Sequence, residues 1–178
     1  DFAGVSGCVD WQAANAMHRP SSMVLGNAFM LYPFRLPPAG ARPKIVALLD
    51  EKTGRVRDHR LTPERSERQV LIKHPAITDS PTAIEEEEAY ARMARAAGIA
   101  MPWTMVLRSG RGDAFFAVER FDRRGAGRVH MHTAAGMLDV DFRQPSTDYE
   151  NLHKLVRWTT RHAGDQDEMF RRMAFNVL

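Results

Sequence analysis

Cysteine is almost missing from the chain: Cys8 is the single one among 178 residues. One thiol cannot form an internal disulfide, so a cross-linked secreted scaffold is excluded and a reducing, cytoplasmic setting is the expectation. No apolar run reaches the roughly 20 residues of a membrane-spanning helix, and no stretch has signal-peptide architecture. A surplus of one charge is also lacking. The 25 Lys and Arg stand against 22 Asp and Glu, a net +3, and the signs are interleaved. That excludes a long basic tail of the nucleic-acid-binding kind. The pI of about 9.3 suits phosphate-bearing partners without requiring them. Neither GxGxxG nor GxxxxGK[ST] occurs, and there is no internal repeat or low-complexity segment. The seven histidines lack the company a metal centre needs. His130 and His132 would share one face of a strand, but no cysteine or acid cluster completes a ligand set. Ser6 and Cys8 have no supporting base.

Apolar residues make up 44% of the chain, enough to bury the core of one domain or a little more. Residues 1–20 are weakly patterned, with a short helix possible over 9–17 capped by Asp10. Residues 21–34 fit a strand or a helix equally well. Prolines and Gly40 break any regular element over 36–44. Then 45–50 reads as a strand, 51–55 as a turn, 56–59 as a return strand and 62–68 as a loop. The apolar run Val70-Leu71-Ile72 leads into Lys73 and is stopped at Pro75, the pattern of a buried strand. A helix follows to Ala97, with Asp79 or Ser80 as cap, Pro81 in its first turn and Gly98 as its stop. Ile84, Glu87, Ala91, Ala94 and Tyr90 fall on its inward stripe, with Glu85, Glu86 and Arg92 toward solvent. Residues 103–108 and 114–121 read as a β-hairpin, and 122–127 as a charged loop. Residues 128–132 read as a short strand or link. Helical signal covers 133–138, 149–161 (capped by Ser146 or Thr147) and 165 onward (capped by Asp165 or a neighbour). The expected fold class is α+β: a strand-rich half with one long helix, then an all-helical half.

The chemistry gathers around Lys73. A buried ammonium needs an anion, either a carboxylate or a phosphate; the alternative is a side chain that snorkels out at the strand end. Glu87, inward on the next helix, supplies a carboxylate. The turn Ala39-Gly40-Ala41-Arg42-Pro43-Lys44 can lend backbone N–H groups to phosphates. A lysine held by a helix carboxylate is how kinase-like folds position ATP. Glu119-Arg120-Phe121, at a strand exit, fits a hinge whose backbone bonds adenine.

Taken in order, Gly40-Ala41-Arg42-Pro43-Lys44, Val70-Leu71-Ile72-Lys73, Glu86-Glu87 before Met93-Ala94-Arg95-Ala96-Ala97-Gly98-Ile99, Val118-Glu119-Arg120-Phe121-Asp122-Arg123 and residues 169–178 resemble the HipA-type serine/threonine kinases. These are toxins of bacterial toxin–antitoxin pairs with a two-lobed, kinase-like fold. The resemblance covers residues 39–178. It implies an ATP-binding domain over 36–132 built like a kinase N-lobe, the start of a helical C-lobe over 133–178, and a separate segment over 1–35. It further implies that Ala39, Gly40, Ala41, Arg42, Pro43 and Lys44 form the phosphate-side loop. Lys73 would contact ATP phosphates with Glu87 holding it, and Glu119 and Phe121, flanking Arg120, would bond adenine through backbone atoms. Asp122 would approach the ribose. The implied cofactors are ATP and Mg2+, and the implied partners a HipB-type antitoxin and a protein substrate, with DNA reached only through the antitoxin.

Two departures matter. Pro37-Pro38 stands where the family often carries a self-phosphorylated serine. The family's catalytic aspartate and asparagine, and its metal-binding aspartate, follow a Phe-Asn-Val-Leu helix like residues 175–178. No stretch here matches that segment, so residues 1–178 are expected to hold no catalytic and no metal-ligating residue, to bind ATP weakly or not at all, and to continue in a longer parent. The alternative is a non-catalytic pseudokinase-like or antitoxin-binding interaction module. A nucleic-acid-binding domain has only the pI behind it.

Overall fold

The computed structural model describes residues 22–25, 43–76, 78–125, 127–141, 143–144 and 147–178. The expected phosphate-side residues Ala39 to Arg42 and the expected helix over 9–17 lie outside them. Within residues 21–34, the choice between strand and helix resolves as strand for β1 (Ser22–Leu25).

The remaining strands follow the apolar runs. They are β2 (Lys44–Asp50), β3 (Val56–Asp58), β4 (Glu67–Lys73), β5 (Thr104–Ser109) and β6 (Ala114–Glu119). The sheet order is β1-β5-β6-β4-β2-β3. The five strands from β3 to β5 pair antiparallel, and β1 lies parallel to β5. The class is therefore α+β, as the sequence suggests. Side chains alternate across a strand. On one face Ile45, Ala47, Val70, Ile72, Leu107 and Ala117 join a single buried cluster. On the other, Val106 and Phe116 pack against Ile84 and Ala91 of α1 (Ala83–Ala96). Each Ile or Leu buried this way contributes about 1.5–3 kcal/mol.

Helix α1 ends as expected at Gly98, whose φ of +76° suits glycine. The Gly98 N–H donates to the Arg95 carbonyl and the Ile99 N–H to that of Ala94, both at 3.0 Å, a Schellman closure. Its start differs from expectation. Thr82, not Asp79 or Ser80, is the N-cap, and Pro81 sits in the preceding turn. The Thr82 hydroxyl bonds Ser80 and the Glu86 carboxylate instead of a backbone N–H. The inward stripe also differs by one position: Ile84, Glu88, Ala91 and Ala94 are buried, while Tyr90 is exposed. A 3.6-residue period fits 84-87-91 and 84-88-91 equally well. Glu88 can be buried because Arg95 approaches its carboxylate at 3.5 Å.

Residues 122–127 are not a plain loop: β7 (Arg123–Arg124) and β8 (Gly127–Arg128) pair as a small hairpin. Three helices follow: α2 (Ala134–Leu138), α3 (Tyr149–Thr160) and α4 (Ala163–Val177). Asp148 rather than Ser146 or Thr147 caps α3, accepting the Asn151 N–H at 2.8 Å. His162 holds the N-cap position of α4, with Asp165 inside its first turn. No helix among the described residues is long and apolar enough to cross a membrane.

At the end of β2, the Asp50 carboxylate accepts bonds from the Ser66 hydroxyl (2.7 Å) and the Thr53 and Lys52 N–H groups (both 2.9 Å). They hold its pKa down at about 2. A carboxyl depressed by folding adds stability above its unfolded pKa and loses it as pH falls through its folded one. The stability gap between wild type and Asp50→Ala, read by urea titration, is therefore expected to be full above pH of about 4 and to narrow toward pH 2. An equal gap at pH 6 and pH 2.5 would contradict this.

Candidate functional site

Register places a cation pair at one corner of the sheet. Lys44 of β2 stands directly opposite Lys73 of β4, and Lys73 opposite Phe116 of β6. The ladder continues one step further, the His74 N–H donating to the Pro43 carbonyl at 2.9 Å. The described end of the 39–44 turn therefore lies beside Lys73. The three side chains point to the face that carries α1. The next register row on that face is Val46, Leu71 and Val118, all half-buried.

Lys73 Nζ forms an ion pair with Glu87 Oε1 of α1. It also lies 5.2 Å from the centre of the Phe116 ring, within cation–π reach. Only part of each side chain is solvent-accessible, 30% for Lys73 and 23% for Glu87. Nζ has three donors and Glu87 occupies one of them. Oε2 of Glu87 is buried and has no hydrogen-bond partner among the described residues. None of the described carboxylates pairs with Lys44. Two lysines against one carboxylate leave a net positive corner, which fits an anion such as a phosphate. His74 sits behind the corner, its ring meeting Phe115 edge-on at 4.8 Å. Burial pushes its imidazole below the ordinary histidine value, toward the neutral form.

The other expected residues lie at the opposite end of β4. Glu119 is three residues beyond Phe116 on β6, about 10 Å along the strand. Its N–H donates to the Trp103 carbonyl at 2.8 Å, and the Arg120 N–H to the Gln69 carbonyl at 2.9 Å. Glu119 can therefore offer a ligand its carbonyl but not its N–H. Its side chain points to the other face, where it meets Arg68 at 2.9 Å, and Arg68 in turn bonds Glu51 and covers the Trp103 ring. Arg120 clasps both oxygens of Asp122 at 2.9 and 2.6 Å, and Arg123 adds a bond at 2.9 Å. The Arg120 guanidinium holds the Asp122 carboxyl below its usual range. Asp122 is thus held by arginines at the root of the β7–β8 hairpin. Beside these residues an open cleft of about 340 Å³ is lined by Arg68, Gln69, Glu119, Arg120, Arg123 and Gly125 among others.

Lys44, Lys73 and Glu87 are brought together, and Glu119, Arg120 and Asp122 form a second group a few residues away along the strands. Sequence reasoning did not find Phe116 beneath the amine or the Val46-Leu71-Val118 row. Both depend on strand register, which no local pattern reveals. Among the described residues no group of three or more His, Cys, Asp or Glu side chains could hold a metal ion.

A family model described as "HipA-like C-terminal domain" matches residues 36–178. No curated protein matches the chain.

The Lys73–Glu87 contact should be measurable as coupling. In a double-mutant cycle with Lys73→Met and Glu87→Gln, urea titrations are expected to give about 1 kcal/mol of interaction, as for a partly screened pair. Additive single effects would show that the two side chains do not meet in solution.

Proposed function

The chain belongs to the HipA-like C-terminal domain family, and from that premise we propose that it forms the nucleotide-holding part of a serine/threonine kinase toxin. The reading is that Lys73 binds the phosphates of ATP while Glu87 fixes its direction. The observation that carries it is the corner where Lys73, gripped by α1, faces Lys44 across the strand pair. A structural ion pair would need only one lysine; the second cation makes sense if an anion lies between them. The half-buried row Val46, Leu71 and Val118 offers an apolar surface on the same face, between the lysines and the β6 exit, for a flat base. The Glu119 carbonyl and the Phe121 N–H would then read the edge of adenine. The distance of about 10 Å from the Lys73 row to Glu119 is one that a nucleoside polyphosphate can bridge.

Bound ATP would supply the transferable phosphoryl group, with Mg2+ on its phosphates. What these residues do toward that chemistry is position and neutralise. Lys73 and Lys44 offset phosphate charge. The phosphate-side role of Ala39 to Lys44 belongs to the same reading, with Pro43 and Lys44 beside Lys73. Pro37-Pro38, just before this turn, offers no hydroxyl for self-phosphorylation. A kinase-like N-lobe, a cytoplasmic setting, a HipB-type antitoxin partner and a protein Ser/Thr substrate belong to the same proposal.

A non-catalytic interaction module is the second reading. Trp158 and Phe170, 82% and 58% exposed, favour it as potential contact residues on α3 and α4. Transfer of labelled phosphate to a protein, abolished by Lys73→Ala, would exclude it and would equally overturn the expectation that residues 1–178 hold no catalytic residue.

The nucleotide reading is tested by thermal-shift titration with a non-hydrolysable ATP analogue and Mg2+. Wild type is expected to be stabilised weakly, in a concentration-dependent way at high analogue concentration, and Lys73→Ala to show most of that shift removed. An equal shift in both proteins would overturn the role given to Lys73.

A further inference from the structure

Helix α4 grips both backbone polar groups of one residue, Ala100, in the segment that follows α1. The Ala100 N–H donates to Glu168 Oε1 at 2.9 Å, and the Ala100 carbonyl accepts from the Arg172 guanidinium at 2.6 Å. Glu168 and Arg172 also bond each other at 2.9 Å, one turn apart on α4. Glu168 is only 6% exposed. The same segment is clasped from α1, where Arg95 donates to the Pro102 carbonyl at 3.0 Å and to the Thr104 hydroxyl at 2.8 Å. Residues 100–104 are therefore held from both sides by directional bonds.

A buried ion pair is a poor way to gain stability, because desolvation cancels much of its attraction. Its strength is geometric. An apolar contact allows one element to slide on another; two bonds to the N–H and C=O that flank one Cα do not. Ala100 follows the Schellman closure of α1 by two residues, so fixing Ala100 fixes the C-terminal end of α1. Glu87 lies nine positions before Ala96, the last residue of α1, roughly 14 Å along the helix. A tilt of about 5° about that end would move Glu87 by about 1.2 Å, more than the tolerance of a hydrogen bond.

We propose that Glu168 and Arg172 are positioning residues that, through Ala100, hold α1 at the tilt that keeps Glu87 on Lys73. The proposal rests on the nucleotide reading only for its functional consequence; the coupling itself is a property of the ligand-free protein. The helical half thereby sets the geometry of the phosphate corner from a distance.

The experiment reads Lys73 directly. Reductive methylation of Lys73 is followed by peptide mass spectrometry in wild type, Glu87→Ala, Glu168→Ala, Glu168→Gln, Arg172→Lys and Met169→Ala. Met169 is buried on the same helix and makes neither bond to Ala100, so its truncation loosens packing and leaves the two bonding side chains in place. Glu168→Ala is expected to raise the Lys73 rate toward that of Glu87→Ala. Glu168→Gln, which keeps an acceptor for the Ala100 N–H, is expected to fall between, and Met169→Ala to stay near wild type. ATP-analogue affinity should drop roughly fivefold in Glu168→Ala, about the worth of one hydrogen bond, with no further drop when Glu87→Ala is already present. Should Glu168→Ala not fold, Glu168→Gln and Arg172→Lys carry the comparison. An unchanged Lys73 rate in the Glu168 and Arg172 variants would overturn the proposal. So would an equal rise in Met169→Ala at matched thermal stability. If the Lys73 rates shift as expected while no variant or wild type binds the analogue, the positioning role stands and the nucleotide reading falls.

Discussion

An amine at the end of a buried strand has to be neutralised, and the ion pair between Lys73 and Glu87 meets that need. The constraint reaches outward from there. Glu87 can face Lys73 only if α1 lies across β5 and β6 in one rotational setting. That setting is fixed by Ile84 and Ala91 against Val106 and Phe116. Phe116, opposite Lys73 in register, serves twice: it fills the helix–sheet core and offers its ring to the amine. The corner is thus made by the packing that holds the domain together, and changes to that packing reach it.

Carboxylates are unusually dense on α1, and each is treated differently. Glu86 stays exposed and bonds Thr82. Glu85 pairs with Arg108 of β5, Glu87 with Lys73 of β4, and Glu88 turns inward toward Arg95. One helix is therefore tied by charge to two strands. Burying Glu88 and half-burying Glu85 and Glu87 costs desolvation energy that apolar residues would not, so the arrangement favours a defined orientation over maximal stability. The Glu168–Arg172 clasp on Ala100 follows the same logic at the other end of the helix. Together they make α1 a rigid strut between the helical half and the lysine corner.

What the sequence made legible follows from how local its signals are. Strands β2, β4, β5 and β6 were readable because each is a short apolar run of three to five residues followed by turn or charged residues. The end of α1 was readable because Gly98 supplies the left-handed conformation its closure needs. The Lys73–Glu87 pairing was anticipated because a buried amine leaves few solutions. Glu88 was missed because a 3.6-residue period cannot separate adjacent stripes when both carry acids. The caps of α1 and α3 were misplaced by a few residues because Ser, Thr and Asp cluster at each start and compete for one role, and at α4 the cap position falls to His162, three residues before Asp165. The β7–β8 hairpin has strands of two residues, too short for any periodicity. The grip on Ala100 was invisible, since it joins groups 68 and 72 residues apart and one partner is bare backbone. Membership of the HipA-like family was the most legible feature, because it rests on ordered motifs along most of the chain.

The claim that Lys73 is a phosphate anchor is tested most directly by calorimetric titration of ADP and adenosine, each in the presence of Mg2+, against wild type and Lys73→Met. Wild type is expected to prefer ADP. Lys73→Met is expected to bind adenosine as wild type does and to lose the preference for ADP. A substitution that weakens both ligands equally, or neither, would mean that the amine belongs to the scaffold and not to a phosphate site.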